Sequence, residues 1–193
     1  WILQANEKDG AFNTWRYIQT KHAVRIGRSL EFSDPHVQLA DITGDRLQDM
    51  VYIRPSDGTL FYAPHNGNGE FDDVVRMQGG LQEIGYVAAD RVRLGDINGD
   101  GLADLIVVQD GSVLYWLNRG DNTFAPMVTI KDTPPYKVGW PVRLADIDGD
   151  GANELLFSQG FHDVAYVDFD TGPPPNLLNR IDNGLGRTIE IEY

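Results

Sequence analysis

Apolar and polar positions alternate along most of this chain, and acidic, glycine-bearing turns interrupt the alternation at near-regular intervals. Three alternating segments stand out: His36-Val-Gln-Leu-Ala40, Arg91-Val-Arg-Leu-Gly95 and Pro141-Val-Arg-Leu-Ala145. Each leads into an acidic turn, and each turn is followed by a short apolar run: Met50-Val-Tyr-Ile53, Leu105-Ile-Val-Val108 or Leu155-Leu-Phe157. Period-two alternation predicts half-buried strands, and brief apolar runs bounded by Gly and Asp predict fully buried ones. A second hairpin follows. Leu60-Phe-Tyr-Ala63 runs through Asn66-Gly-Asn-Gly69 to Phe71, and Val113-Leu-Tyr-Trp116 runs through Asn118-Arg-Gly-Asp121 to Phe124. Ile2-Leu3-Gln4, through Asp9-Gly10 to Phe12, fits the same template, and Val164-Ala-Tyr-Val167 before Asp170-Thr-Gly172 is a weaker copy. No stretch has the period of a long amphipathic helix, and Gln78 to Gly85 reads as loop.

Each repeat thus holds about four short strands, the content of a β-propeller blade, where radial repetition leaves only short edges. The predicted fold is all-β: a β-propeller segment of four-stranded blades, partial or small, with the start of a following β domain. Repeats are expected near 30–85, 86–135 and 136–172, preceded by half a blade, so that propeller repeats occupy 1–172. The phase drifts along the chain, as expected if strands of one blade come from adjacent repeats. Three consecutive prolines, Pro173 to Pro175, cannot donate to a strand ladder. Residues 173–193 are therefore expected to form a proline linker and the start of the next β-rich domain, with a hairpin turn at Asn183-Gly184. The strand-like first and last residues suggest a piece of a longer polypeptide.

Net charge changes this picture in one respect. With 16 Lys and Arg against 29 Asp and Glu, the chain carries −13. Phosphate contacts need clustered cations, so nucleic acid is not the expected partner. Much of the acidity falls in the three turns. They read Asp41-Ile-Thr43-Gly-Asp45-Arg46-Leu47-Gln-Asp49, Asp96-Ile-Asn98-Gly-Asp100-Gly-Leu102-Ala-Asp104 and Asp146-Ile-Asp148-Gly-Asp150-Gly-Ala152-Asn-Glu154. Oxygen-bearing side chains stand at positions 1, 3, 5 and 9 of each phrase. A loop of this kind wraps a hard cation such as Ca²⁺, which takes several oxygen ligands.

In the second loop the expected ligands are Asp96, Asn98, Asp100, the Leu102 carbonyl and Asp104. In the third they are Asp146, Asp148, Asp150, the Ala152 carbonyl and Glu154. The first loop would use Asp41, Thr43, Asp45, the Leu47 carbonyl and Asp49. It departs from the pattern, because Thr43 replaces Asp or Asn and Arg46 stands where the others have glycine. Either it holds a third ion, or Arg46 replaces the ion by pairing with Asp41, Asp45 or Asp49. An EF-hand is excluded on spacing, because its closing Glu stands at position 12 of a loop between helices. Here position 12 is Val107 or Phe157, inside an expected strand.

An acidic loop closed at its ninth position between β-strands resembles the calcium loops of the FG-GAP/VCBS repeat family. The tail, Asn176-Leu-Leu-Asn-Arg-Ile-Asp-Asn-Gly-Leu-Gly-Arg-Thr-Ile-Glu-Ile-Glu-Tyr193, resembles the segment after the repeats in the B component of bacterial insecticidal toxin complexes and in SpvB-type virulence proteins. That resemblance implies a secreted, extracellular bacterial protein. It implies that the segment helps build a toxin shell and meets the pore-forming component, as partner of other toxin-complex components.

Other chemistry is sparse. Cysteine is absent, so disulfides and thiol catalysis are excluded. His22, His36, His65 and His162 lack the spacing of a zinc site. No nucleophile elbow or phosphate loop is present, and Gly184-Leu-Gly186 is not a dinucleotide fingerprint. Arg119-Gly120-Asp121 spells a cell-attachment tripeptide, yet it sits where the sister copies also turn. Trp116 and Trp140 are expected between blades rather than on a sugar platform. The expected function is a non-enzymatic, calcium-stabilised scaffold without membrane insertion. The alternative is a cell-surface adhesion or lectin-like module that binds carbohydrate.

Overall fold

In a computed structural model of the protein, residues 2–3, 15–16, 32–85, 87–158, 163–169, 178 and 180–191 are described. Fifteen strands are assigned among them. β1 (Ile2–Leu3) pairs with β2 (Trp15–Arg16). The first four-stranded sheet holds β3 (Val37–Ala40), β4 (Asp49–Ile53), β5 (Leu60–Ala63) and β6 (Val75–Arg76), in that order. The second holds β7 (Val92–Gly95), β8 (Asp104–Gln109), β9 (Ser112–Trp116) and β10 (Val128–Lys131). The third holds β11 (Val142–Ala145), β12 (Glu154–Ser158) and β13 (Val164–Val167). A separate hairpin joins β14 (Arg180–Asp182) to β15 (Thr188–Glu190).

Consecutive strands pair antiparallel within each of the three larger sheets. The architecture is an all-β, partial propeller of four-stranded blades. Three details differ from the sequence reading. Each described four-stranded sheet is one contiguous stretch, so the expected mixing of adjacent repeats within a blade does not occur there. Gly80–Glu83 forms a 3₁₀ turn rather than plain loop. The third sheet has three strands among the described residues. The tip of the first expected hairpin, Asp9 to Phe12, and most of the proline linker lie outside the described residues.

The apolar run of the second blade does not alternate because both faces of that blade are covered. On the second blade, Leu105, Val107, Leu114 and Trp116 pack against Val51, Ile53, Leu60 and Tyr62 of the first. The intervening Ile106, Val108, Val113 and Tyr115 pack against Val142, Leu155, Phe157 and Val167 of the third. The ladder sets this division, since Leu105 opposes Trp116 and Ile106 opposes Tyr115. Side chains one residue apart then point to opposite blades. Complete burial of one such Leu or Ile contributes about 1.5–3 kcal/mol.

Leading strands of neighbouring blades approach closely. Arg93 Nε of β7 donates to the Val142 carbonyl of β11 at 2.9 Å. A Cβ on Gly95 would stand 2.7 Å from Leu144 Cδ1, so a larger residue there would displace the tip of the Leu144 side chain. No helix among the described residues is long and apolar enough to cross a membrane, which says nothing of a β-barrel.

Candidate metal loops

Each acidic phrase spans the turn between the first two strands of a blade, and its ninth residue is the first residue of the second strand: Asp49, Asp104 or Glu154. The loops close on their own carboxylates. Asp96 Oδ1 accepts from the backbone N–H of Asn98, Gly99 and Asp100, and its Oδ2 accepts from Gly101 N at 2.8 Å. Asp41 accepts from Gly44 N and Arg46 N, both at 2.7 Å. Asp146 accepts from Gly149 N at 2.7 Å and Gly151 N at 3.2 Å. The fifth residue makes a smaller turn of the same kind, with Asp45, Asp100 and Asp150 each accepting the N–H two residues on at 2.8 Å. Short acidic side chains compete with the ladder for backbone donors, which is why the chain turns here.

At position 6 the backbone is left-handed in all three loops, with φ of 68° at Arg46, 87° at Gly101 and 95° at Gly151. Arg46 therefore holds a conformation that a side chain disfavours. It enters the loop through its backbone N–H. Among the described residues no ion pair joins its guanidinium to Asp41, Asp45 or Asp49.

The ninth residue does more than the spacing suggested. Asp49 and Asp104 are fully buried, and Glu154 nearly so. Each accepts from the N–H of loop position 2: Ile42 at 2.9 Å, Ile97 at 3.1 Å and Ile147 at 2.8 Å. The other oxygen of Asp49 accepts from His65 N at 2.9 Å, and that of Asp104 from Asn118 N at 2.7 Å. The ninth acid thus ties the loop to the turn beyond the third strand. Burial pushes the Asp104 carboxyl up to about 7, against the lowering effect of its two N–H bonds. Burial raises Asp49 in the same way.

The loops also join one blade to the next. Ala103 N, at position 8 of the second loop, donates to the Asp41 carbonyl at 2.7 Å. Asn153 N, at position 8 of the third, donates to the Asp96 carbonyl at 2.9 Å, and Asn153 Nδ2 reaches the same oxygen. Asn118, buried at the following turn, donates through Nδ2 to the Ile42 carbonyl of the first loop at 2.9 Å. Asn118 and Asn153 were missed as functional residues, because turn chemistry explained the one and the metal pattern passed over the other. No recurrence marked either position, since the first-blade equivalent of Asn118 is His65, whose N–H likewise reaches the ninth acid.

The third loop gathers its acids best. Oxygens of Asp146, Asp148 and Glu154 all lie within 4.8 Å of one another. Such a group repels itself unless a cation or protons intervene, and an all-oxygen donor set suits a hard divalent cation. In the second loop Asn98 Nδ2 donates to Asp100 Oδ2 at 3.0 Å, and Asp104 turns to its N–H donors. In the first, Thr43 Oγ1 donates to Asp49 Oδ2 at 3.3 Å. Asp96, Asp100 and Asp104 are not drawn together as the third group is, nor are Asp41, Asp45 and Asp49. Leu47, Leu102 and Ala152 are half-buried at position 7.

The remaining candidates fall outside these loops. Arg119, Gly120 and Asp121 form an exposed turn in which Asp121 accepts from Thr123. Trp116 is fully buried between blades, and Trp140 is half-buried with Lys137 Nζ over its ring at 4.4 Å. His22 and His162 lie outside the described residues.

Repeated four-stranded blades with an acidic loop at the first turn define a β-propeller of acidic-loop repeats. The FG-GAP-like repeat matches this chain over residues 41–107 and again over 96–157, together more than half of its length. The chain belongs to the FG-GAP-like repeat family. No curated protein matches it. Among solved structures it is similar to TcdB2-TccC3 without the hypervariable C-terminal region, at 25% identity and a TM-score of 0.64, over 82% of this chain and 8% of that one. TcdB2-TccC3-TEV is similar at 24% identity and a TM-score of 0.65, over 92% of this chain and 8% of that one. The Tc holotoxin pore of Photorhabdus luminescens is similar at 23% identity and a TM-score of 0.61, over 82% and 7%. The chain therefore spans under a tenth of these toxin components, and its repeats form a β-propeller module of the toxin-complex type.

Proposed function

We infer that this chain is a calcium-stapled propeller segment of a secreted, B-type toxin-complex protein, acting as a scaffold and docking piece rather than as an enzyme. The observation that carries this reading is the linkage of loops across blades. Position 8 of one loop donates to position 1 of the loop before it, at two successive blade junctions. An ion that fixes one loop then fixes the orientation of two blades. The ion would sit on Asp146, Asp148, Asp150 and Glu154 in the third loop and on Asp96, Asn98, Asp100 and Asp104 in the second. It would supply positive charge beside carboxylates that otherwise repel, coupling metal to folding. The first loop is the weakest candidate, because its Arg46 side chain adds a cation and its position 3 offers a hydroxyl rather than a carboxylate.

Similarity to TcdB2-TccC3 and to a Tc holotoxin pore supports assembly with other toxin components, including the pore-forming one. The test is co-purification of the calcium-loaded segment, within its natural polypeptide, with the pore-forming component. Retention that is lost on chelation supports a calcium-dependent dock. Absence of retention in both conditions contradicts the docking role and leaves the structural role of the ion to be judged by melting.

A further inference from the structure

Asparagine followed by glycine is a chemically labile step, because no side chain keeps the glycine nitrogen from reaching the asparagine amide. The chain has four such steps: Asn66-Gly67, Asn68-Gly69, Asn98-Gly99 and Asn183-Gly184. Three of them share one local geometry. Asn66 Oδ1 accepts from Asn68 N at 3.0 Å, Asn98 Oδ1 from Asp100 N at 3.0 Å, and Asn183 Oδ1 from Leu185 N at 2.9 Å. Each side chain is thereby folded back over the peptide that follows it. The glycine is left-handed in all three, with φ of 77° at Gly67, 73° at Gly99 and 69° at Gly184.

The three differ at the glycine nitrogen. Gly99 N donates to Asp96 Oδ1 at 2.7 Å, and Gly184 N donates to Asp182 Oδ1 at 2.8 Å. Gly67 N has no acceptor among the described residues. The reason lies in the sequence, since Pro64 and His65 stand before Asn66 where the other two steps are preceded by an aspartate. To react, the nitrogen must lose its proton and swing onto the side-chain Cγ. A carboxylate bound to the N–H opposes both, because it holds the nitrogen in place and disfavours negative charge there. Exposure does not separate the steps, because Asn183 and Gly184 are as open to solvent as Asn66 and Gly67.

We propose that Asn66, at the hairpin tip of the first blade, is a spontaneous modification site, and that aspartate hydrogen bonds protect Asn98 and Asn183 in the folded chain. Gly67 N attacks Asn66 Cγ, the N–Cγ bond forms, the Cγ–Nδ2 bond breaks, and ammonia leaves with the proton from Gly67 N. Asn68 N holds the charge that develops on Oδ1 during the attack. Water then opens the cyclic imide. Opening at Cγ gives aspartate in an unchanged main chain, and opening at the main-chain carbonyl gives isoaspartate, which routes the chain through Cγ. Either product adds a negative charge. Isoaspartate also lengthens the main chain inside the turn closed by Asn66 N on the Glu70 carbonyl at 3.0 Å, next to the bond from His65 N to Asp49. Asn68 has a free glycine nitrogen after it but no hydrogen bond on its Oδ1, so it reacts more slowly than Asn66. The inference needs neither the metal nor the toxin partner.

The test incubates the natural polypeptide at neutral pH, folded and in urea, and follows each asparagine by peptide mapping with mass spectrometry and isoaspartate detection. In urea, Asn66, Asn98 and Asn183 are expected to convert at similar rates. In the folded protein Asn66 should stay within a few-fold of its unfolded rate. Asn98 and Asn183 should fall roughly tenfold or more below theirs, the factor set by first breaking a hydrogen bond to a charged group. Asp182→Ala leaves Gly184 N without its acceptor and should accelerate Asn183 alone. Folded rates that are equal at the three sites, an Asn66 slower than Asn183, or an Asn183 rate unchanged by Asp182→Ala would each overturn the proposal.

Discussion

Asn118→Ala isolates the bond that links two blades without touching a proposed ligand. Asn118 is 3% exposed, and its amide holds the Ile42 carbonyl at 2.9 Å and the Ala103 carbonyl at 3.3 Å while accepting from Gly120 N at 3.0 Å. Alanine removes all three. Gly120 is exposed and water replaces that bond, so its loss costs little. The Ile42 carbonyl is buried, and leaving such a group unpaired costs about 1–3 kcal/mol. A cavity of about 70 Å³ adjoins Asn118, Ile42 and Thr43, with room for water to recover part of the loss. The net expectation is about 2 kcal/mol, or about 4–8 °C in melting temperature for a domain of this size. Asn118→Asp should cost more, because it cannot donate to the Ile42 carbonyl and places a second carboxylate beside Asp104. Urea denaturation and thermal melting by circular dichroism measure both variants. A loss for Asn118→Ala below about 0.5 kcal/mol, the range of an ordinary surface change, would refute the claim that this bond holds the blades together.

Four further outcomes follow from the same geometry. Arg46→Gly should stabilise the fold by about 1 kcal/mol in urea denaturation, since glycine relieves the left-handed backbone there; a loss would mean the Arg46 side chain makes a contact that offsets the strain. Ile106→Ala, at a fully buried position between the second and third blades, should cost about 2–5 kcal/mol by the same measurement. In chelator, stability should fall as pH rises from about 4 to above 7. Asp104 ionises at about 3.8 when unfolded and at about 7 when folded, so no penalty exists below the lower value and the full penalty, up to about 4 kcal/mol at 1.36 kcal/mol per pKa unit, exists above the higher. A chelated protein whose stability is flat or rising over that interval would contradict it. Asp100→Ala and Asp150→Ala should each remove part of any calcium-dependent rise in melting temperature, while Asp45→Ala should leave most of it.

The blades were legible because hydrophobic period and turn chemistry agree. Leu105 to Val108 had to be a buried strand, and the division of its side chains between two neighbours follows from the ladder alone. The division of labour in the acidic loops was less legible. Spacing assigns Asp104 and Glu154 to the cation, and it cannot show that the same side chains pair with the N–H of Ile97 and Ile147. Those bonds come from the way the loop folds back over its ninth residue, which spacing does not encode. Links across blades were invisible for a related reason. The bond from Ala103 N to the Asp41 carbonyl joins residues 62 positions apart through main-chain atoms, and no side-chain pattern encodes it. Loss of the position-6 glycine in the first loop was visible, but its consequence, a left-handed Arg46 without an ion pair to the loop acids, was not.

The central claim, that calcium on the acidic loops holds successive blades together, is tested most directly by melting the protein in EGTA and in millimolar Ca²⁺ with Mg²⁺ as control. The account predicts a rise in melting temperature that saturates with Ca²⁺. At a free concentration 100 times the dissociation constant, one site should add about 2.7 kcal/mol. Identical melting in EGTA and in Ca²⁺ would contradict it.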